Sequence, residues 1–274
     1  MKPRKPRPGG SKPGARKAQQ AQHHARPSRG EVDVTAAYLA GLPVDQVDSG
    51  QADTPDHAGD KSKKTTRETV GMRIIGGKHR GRSLTYSGDL RTRPMKDRVR
   101  EAVFNLIGTD VEQALIIDLF AGTGALALEA LSRGAHHAIM IERHHPTTNL
   151  IKDNLKTLGL TEQAEVVFGD AFRFTKKFDP DPTNPKYLRR WVVFCAPPYD
   201  FYVSREEEMM ELLILWQTRL PEGSLLVVES DDRSAELELP ILEEIDAEWE
   251  SRSYPPAIIS ILEVPGTAEE SIAE

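Results

Sequence analysis

The sequence predicts an α/β protein with a doubly wound, mostly parallel, seven-stranded sheet that ends in an antiparallel hairpin. From Ala114 onward, strand and helix patterns alternate along the chain. Strand segments such as LIIDLF and WVVF are apolar without interruption, as a parallel sheet buried on both faces requires. The last two strand-like segments are joined through Pro255 and Pro256, which indicates an antiparallel pair.

Each element of this sheet follows from a local pattern. The predicted strands are ALIIDLF, HAIMIE, AEVVFGD, WVVFCAPPY, GSLLVVES, EIDAEWESRSY and AIISILEV. The predicted helices between them are GALALEALSRG, PTTNLIKDNLKTLG, AFRFTKKF and SREEEMMELLILWQTRL.

Two smaller elements precede the sheet. MRIIGGKHRGRSLTY alternates from Met72 and carries three glycines, which predicts a small β-hairpin. LRTRPMKDRVREAVFNLIG predicts a helix starting near Pro94, because proline suits a first helical position. Its apolar residues share one face, and Arg98 and Arg100 project elsewhere. That apolar face consists of Val99, Val103, Phe104 and Ile107.

The composition indicates a folded domain with tails outside it. Only 38% of residues are hydrophobic and 28% are charged. We expect a disordered tail over residues 1–70, basic and then acidic, a hairpin-and-helix unit over 71–108, a ligand-binding domain over 109–265 and a disordered end over 266–274. Residues 1–30 hold nine Lys or Arg and no acid, in a chain of net charge −6. This start is either a solubilising tail or an arm that gathers phosphate backbones.

Several classes of protein are excluded by the same composition. The single cysteine, Cys195, excludes an intramolecular disulfide and a CxxC metal site, so we expect no metal. No apolar stretch reaches the roughly 18 residues of a membrane span, and no apolar signal core follows the basic start. The start is rich in Lys, Pro and Gly, unlike an Arg- and Ser-rich transit peptide. We therefore expect a cytoplasmic protein, acting as a monomer.

A nucleotide-like ligand is indicated at the ends of the first three strands. DLFAGTG follows a strand and opens a helix, where glycines allow a tight turn at the carboxyl edge of the sheet. Glu142 ends the second strand, where a carboxylate can accept bonds from both hydroxyls of a ribose. Asp170 ends the third strand and could meet an adenine edge. Alternatively, Glu142 is a solvent-facing strand end and Asp170 a helix N-cap.

A stiff aromatic turn closes the fourth strand. In CAPPYD, two prolines precede Tyr199, whose ring can stack on a base taken out of its helix. The alternative is a plain loop with a packed tyrosine. Cys195 could act as a covalent nucleophile, but a cysteine inside an apolar strand is usually core.

These motifs together resemble one known family. MRIIGGKHRGRSL, RTRPMKDRVREAVFNLI, DLFAGTGALALEALSRGA and APPY, in this order, are similar to the RsmD family of bacterial 16S ribosomal RNA guanine-N2 methyltransferases. The resemblance implies a class I S-adenosylmethionine-dependent methyltransferase, Rossmann-like, over residues 109–265, with small-subunit ribosomal RNA or its assembly intermediate as partner. It places the cofactor against Asp118, Phe120, Ala121, Gly122, Gly124, Glu142, Asp170 and Ala171, and catalysis at Ala196, Pro197, Pro198 and Tyr199.

Two positions depart from the family pattern. The family has Asp or Asn before PPY where this chain has Ala196, and RPTTDR where this chain has RPMKDR. An acceptor side chain before PPY orients the poorly nucleophilic guanine amine, so its loss would slow transfer on the order of a hundredfold. Asp200 could replace that acceptor, or it is only a turn residue that caps the next helix.

The hairpin region carries a localised basic patch in an otherwise acidic chain. It is either an RNA contact, with glycines that let the loop follow a phosphate backbone, or a solvated charged face. The residues expected to contact RNA are Arg73, Lys78, His79, Arg80, Arg82, Arg93 and Arg98, with Arg91, Lys96 and Arg100 in the same patch.

Three functions are compatible with these residues. The first is an active guanine-N2 methyltransferase of ribosomal RNA. The second is a ribosome-assembly protein that binds cofactor and RNA but has lost catalysis at Ala196. The third is an amino-methyltransferase acting on DNA adenine or a protein side chain, against which the basic hairpin and tail favour RNA.

Overall fold

The computed structural model describes residues 72–86, 88, 94–231 and 238–266, which belong to one compact unit. The predicted tails, residues 1–70 and nearly all of 266–274, lie outside the described residues, as do Arg91 and Arg93 of the basic patch.

The described residues form seven strands and six α-helices. The strands are β1 (Leu115–Asp118), β2 (His137–Glu142), β3 (Ala164–Phe168), β4 (Trp191–Cys195), β5 (Leu225–Asp231), β6 (Glu250–Tyr254) and β7 (Ala257–Glu263). The helices are α1 (Asp97–Ile107), α2 (Ala125–Ser132), α3 (His145–Leu158), α4 (Ala171–Lys177), α5 (Phe201–Ser204) and α6 (Glu206–Gln217).

The strands form one sheet in the order β3-β2-β1-β4-β5-β7-β6. Strands β1 to β5 are parallel, and β7 runs antiparallel to both β5 and β6. This confirms the predicted sheet with its reversed terminal hairpin, the arrangement of a class I methyltransferase. The strand order reverses between β1 and β4, so a ligand is expected at their carboxyl ends.

Alternate residues of the buried strands face two hydrophobic cores. On one face Ile116, Val192 and Val227 pack with α2 and α3; on the other Ile117, Val193 and Leu226 pack with α4 and α6. The hairpin region contributes Met72, Ile74 and Leu84 to the first core, and α1 contributes its predicted apolar face. Hairpin, α1 and sheet therefore share one core.

The structure differs from the sequence predictions at three element boundaries. Helix α1 begins at Asp97 rather than near Pro94, because Lys96 is extended at its N-cap. The long helix predicted from Ser204 is divided at Arg205, which leaves helical geometry between α5 and α6. Strand β6 begins only at Glu250, where its pairing with β7 begins.

Arg100 is a further correction. We predicted it among the exposed cations of the basic patch, but the structure buries it completely. Its guanidinium donates to the Arg73 carbonyl over 2.6 Å and to Asp97 over 3.0 Å, so it holds the hairpin against α1.

Candidate functional site

The glycine-rich loop after β1 lies at the point where the strand order reverses. Its backbone is tied to both neighbouring strands: the Leu119 N–H donates to the Phe194 carbonyl over 3.0 Å, and the Ala121 N–H to the Ile141 carbonyl over 2.9 Å. Gly122 and Gly124 both have positive φ, which favours glycine. The loop is thereby preorganised at the sheet's carboxyl edge.

Asp118, the last residue of β1, is a buried carboxylate without a hydrogen-bond partner among the described residues. It is 1% exposed, and neither of its oxygens accepts a hydrogen bond. Burial, with a smaller contribution from the nearby charge of Glu142, raises the pKa of Asp118 to about 7. The amides of Phe120 and Ala127 lower the pKa in part but do not reach hydrogen-bonding geometry. Such a group suits a cationic ligand.

Glu142 is the last residue of β2, and its carboxylate bonds the backbone of the glycine-rich loop. Its Oε2 accepts from the Gly122 N–H over 2.9 Å, and its Oε1 from the His144 N–H over 2.7 Å. Burial raises its pKa, and these two amides oppose that effect. Each carboxylate oxygen has a second lone pair, so Glu142 can still accept both hydroxyls of a ribose.

Asp170 is the N-cap of α4, as one of its two predicted roles requires. Its Oδ1 accepts from the Phe172 and Arg173 N–H groups, both over 3.1 Å. Its other carboxylate oxygen, Oδ2, lies 3.9 Å from the Arg205 guanidinium. Ala171, predicted beside it, is buried at the helix start.

The turn after β4 brings together Tyr199 and a residue that the sequence reasoning missed. The Tyr199 hydroxyl donates to Glu229 Oε1 over 2.7 Å, and the buried Tyr202 hydroxyl donates to the Glu229 carbonyl over 3.0 Å. Ala196 and Glu229 line one small cavity together with Met95. Glu229 follows the apolar run LLVV of β5, but only the strand register could place it beside Ala196.

Two residues next to this turn were considered for catalytic roles, Cys195 as a nucleophile and Asp200 as a replacement acceptor. Cys195 is fully buried, and burial raises the pKa of its thiol far above its usual range, so it is core rather than a nucleophile. Asp200 is exposed and precedes α5 without a side-chain capping bond.

An aromatic cluster flanks the site and was also not predicted. The rings of Phe120, Phe172 and Phe201 lie about 6 Å apart, centre to centre. Arg205 lies 3.8 Å above the Phe172 ring, and exposed Arg143 lies 5.5 Å from the Phe201 ring. Phe120, predicted to lie against the cofactor, therefore contacts the starts of α4 and α5.

The predicted basic hairpin is anchored to α2 by a buried carboxylate. Glu129 is fully buried and accepts from the Ile75 and Gly76 N–H groups, both over 2.7 Å. Ser132 bonds the same turn, accepting from the His79 N–H over 2.9 Å and donating to the Gly76 carbonyl over 2.6 Å.

The glycines of this turn serve packing. A Cβ on Gly77, which has φ +73°, would lie 1.9 Å from the Ser132 carbonyl oxygen. A Cβ on Gly76 would lie 2.5 Å from the Arg133 guanidinium. Gly77 therefore lets the turn approach α2 closely, and the role of these glycines in following a phosphate backbone stays a prediction.

The cations of the hairpin remain on the surface. Burial and the neighbouring charges of Lys78 and Arg82 lower the pKa of half-buried His79, so it contributes little positive charge at neutral pH. The exposed cations are Arg73, Lys78, Arg80, Arg82 and Arg98, to which exposed Lys96 adds.

Comparison with known proteins identifies the family. A family model described as "Conserved hypothetical protein 95" matches residues 72–252, which include the hairpin, the glycine loop and the PPY turn. The chain belongs to the RsmD family. The "Ribosomal RNA small subunit methyltransferase D" of Haemophilus influenzae is 35% identical over 161 residues, 58% of this chain and 79% of that protein. The protein of the same name from Escherichia coli K12 is 36% identical over 162 residues, 58% of this chain and 75% of its own.

Solved structures agree with this membership of the RsmD family. An Escherichia coli structure, provisionally described as methyltransferase yhhF, has a TM-score of 0.56 and 31% identity, covering 72% of this chain and 99% of its own. A hypothetical protein of Thermus thermophilus has a TM-score of 0.53 and 28% identity, covering 70% of this chain and 99% of its own.

S-adenosylmethionine is the cofactor of this RsmD-family chain, and the site suits each part of it. The unpartnered Asp118 can pair with the ammonium group, Glu142 can accept the ribose hydroxyls, and Asp170 has an oxygen for the adenine amine. Within the described ranges, no group of three or more His, Cys, Asp or Glu side chains is arranged to hold a metal ion. In the same residues, no helix is long and apolar enough to cross a membrane.

Proposed function

We propose that this chain transfers a methyl group from S-adenosylmethionine to the exocyclic N2 amine of a guanine in small-subunit ribosomal RNA or its assembly intermediate. The observation that carries the proposal is the PPY turn held beside the cofactor loop, joined by the bond from the Leu119 N–H to the Phe194 carbonyl. The two relatives named small-subunit ribosomal RNA methyltransferase D support RNA as the substrate.

The residues of the turn bind and orient the base. Pro197 and Pro198 stiffen the backbone, and the half-buried Tyr199 ring offers a stacking surface for a base taken out of its helix. The Tyr199 bond to Glu229 fixes the ring direction. When bound, S-adenosylmethionine supplies a methyl group on a sulfonium. The chain must hold the guanine amine at about 3 Å from that methyl group with its lone pair aligned.

RNA on either side of the target base would contact the anchored hairpin. Its turn lies against the C-terminal end of α2, while the cofactor loop precedes the N-terminal end. The eight residues of α2 span about 12 Å, so the exposed Lys78 and Arg80 would contact backbone phosphates rather than the target base. Arg73 and Arg98 flank the N-terminal turn of α1, close to Met95 of the Ala196 cavity.

A second candidate function follows from Ala196. Without an acceptor at this position, the chain could bind cofactor and RNA during ribosome assembly without transferring a methyl group. Glu229 in the same cavity favours the active enzyme instead.

The proposal is tested in cells with and without the gene for this chain. Small-subunit RNA from both is digested and quantified for N2-methylguanine by mass spectrometry, and we expect one site to lose its methyl group in the deletion. An unchanged level contradicts the proposal. If purified protein binds S-adenosylmethionine and RNA but transfers no methyl group to assembly intermediates or naked RNA, the assembly-protein function replaces it.

A further inference from the structure

Glu229 lies directly across the sheet from Ala196. Strands β4 and β5 are parallel, with Phe194 opposite Val227 and Cys195 opposite Val228. The next pair in this register is Ala196 and Glu229. Paired residues of adjacent parallel strands face the same side of the sheet, about 4.8 Å apart. Both side chains line the same cavity, so a carboxylate stands one strand away from the position where the family has Asp or Asn.

The Glu229 carboxylate is directed at the stacking residue. Its Oε1 accepts the Tyr199 hydroxyl over 2.7 Å, which locates the acid group against the ring expected to hold the base. One hydrogen bond leaves most of its lone pairs available to a ligand. Burial raises the pKa of Glu229, and the Tyr199 bond opposes this by stabilising the ionised form.

The rest of the cavity, as its described residues form it, offers no competing acceptor side chain. It is lined by Glu229, by Ala196 and by side chains without hydrogen-bonding carboxylates or amides; these are Met95, Val103, Leu126, Phe194, Val227 and Ile259. Asp200 is exposed after the turn. Among the described residues that line this cavity, Glu229 is therefore the one with an acidic side chain.

We propose that Glu229 accepts a hydrogen bond from the target guanine amine and so supplies the acceptor that Ala196 lacks. This inference rests on the proposed guanine-N2 activity. A carboxylate that accepts one amine hydrogen fixes the orientation of the amine and leaves the nitrogen lone pair directed at the methyl group. Glu229 also selects for bases that present a donor at this edge.

The test measures single-turnover transfer by the full-length protein. Substrates are small ribosomal particles from cells lacking the gene, and labelled S-adenosylmethionine is the methyl donor. Glu229→Leu keeps the side-chain volume and removes the acceptor, so we expect the transfer rate to fall about a hundredfold. Binding of S-adenosylmethionine by calorimetry and of particles by filter binding should stay within about twofold.

Three further variants separate this role from a structural one. Glu229→Gln keeps the shape and one acceptor oxygen, so its rate should lie between those of wild type and Glu229→Leu. Glu263→Leu removes an exposed carboxylate that pairs with the opposite end of β5 and should behave as wild type. Ala196→Asn added to Glu229→Leu returns an acceptor to β4 and should recover the rate by about tenfold or more.

The outcomes distinguish this inference from the proposed function. If wild-type product contains N2-methylguanine but both Glu229 variants transfer at the wild-type rate, the role of Glu229 is overturned and the activity stands. A slow Glu229→Leu that Ala196→Asn does not rescue, with cofactor binding also lost, makes Glu229 a structural residue. If the wild-type methyl group is on another base, the guanine proposal itself fails.

Discussion

The buried carboxylate of Asp118 destabilises the folded, cofactor-free protein. Its oxygens receive no hydrogen bond among the described residues, and burial raises its pKa to about 7. In the unfolded chain this acid loses its proton near pH 3.8. Between these pH values the folded protein holds a proton that the unfolded chain has released, so stability falls as pH rises through the range.

Asp118→Asn should reverse that penalty and weaken cofactor binding. Above pH 7 the variant without cofactor should unfold at higher urea concentration than wild type, because no buried charge remains. Its affinity for S-adenosylmethionine by calorimetry should fall about tenfold or more, since the ammonium loses its ionic partner.

Wild-type affinity should also weaken from pH 8 to pH 6, as Asp118 takes up a proton, and the variant should lack this change. Glu162→Gln, which alters an exposed carboxylate, is the control. Equal pH dependence in wild type and Asp118→Asn would contradict the role of Asp118.

Ala196→Asp in the otherwise wild-type chain should not accelerate methyl transfer. A new carboxylate would face Glu229 on the same side of the sheet, and two close carboxylates cannot both ionise readily. We expect an unchanged or lower single-turnover rate at pH 7, with a smaller loss for uncharged Ala196→Asn. A hundredfold gain for Ala196→Asp would mean that Glu229 does not serve as the acceptor.

The candidate cofactor residues could be chosen from the sequence, but Glu229 across the site could not. Asp118, Glu142 and Asp170 each stand at the end of an apolar run, which is a local signal. The pairing of Glu229 with Ala196 depends on the register of two strands 33 residues apart. The residues near either position in the sequence do not determine that register.

At the level of elements, the hairpin is held by α2 as well as by its own backbone. Three backbone hydrogen bonds join its two halves, donated by the N–H groups of Ile74, Gly81 and Leu84. Glu129 of α2 accepts two more of its backbone N–H groups. Glu129 also meets Arg133 at 2.9 Å and Arg100 at 3.8 Å. Glu129 is therefore one of the groups that hold the basic surface in position, together with Ser132 and Arg100.

Glu129→Ala should loosen the hairpin while the sheet stays folded. The change leaves Arg100 and two N–H groups without their buried partner, which costs about 3 kcal/mol in free energy of unfolding. Hydrogen exchange should accelerate at residues 74–80, and RNA affinity should fall while S-adenosylmethionine still binds.

Glu112→Ala removes an exposed carboxylate from the same end of the domain and is the matched control. Unchanged hydrogen exchange at residues 74–80 in Glu129→Ala would contradict the anchoring role of Glu129.

Element types were more predictable than element boundaries. Apolar periodicity identified α1 and its buried face, but it could not anticipate that Lys96 stays extended and that Arg100 turns inward to Asp97. The division at Arg205 likewise coincides with a tertiary contact that no local pattern contains, because that side chain packs on Phe172.

At the scale of the whole molecule, the alternation of strands and helices predicted the doubly wound sheet with its antiparallel terminal hairpin. A βαβ connection is almost always right-handed, so few sheet topologies are compatible with this order of strands and helices. Attachment of the hairpin to α2 was not predictable in this way, because it joins residues more than 50 positions apart.

The charge of the whole chain suggests a test of the basic start. Residues 1–30 carry nine Lys or Arg, and the chain as a whole is acidic. We expect removal of residues 1–70 to weaken RNA binding at low salt and to flatten the dependence of log Kd on log salt by about 0.7 per lost phosphate contact. Filter binding from about 50 to 500 mM salt measures this.

The melting temperature should not change on this truncation. An identical salt dependence in truncated and full-length protein would make the segment a solubilising tail. Arg80→Ala removes one exposed hairpin cation, so its salt dependence of Kd shows the change expected for the loss of one phosphate contact.

The Glu129 anchor also sets an order of events during synthesis. Gly76 leaves the ribosome 53 residues before Glu129 does. At roughly 5–20 residues per second, the hairpin must wait about 3–10 s for the acid that holds it. Over that interval the basic segment of the nascent chain is exposed next to the RNA of the translating ribosome, while the domain that binds the cofactor has not yet folded.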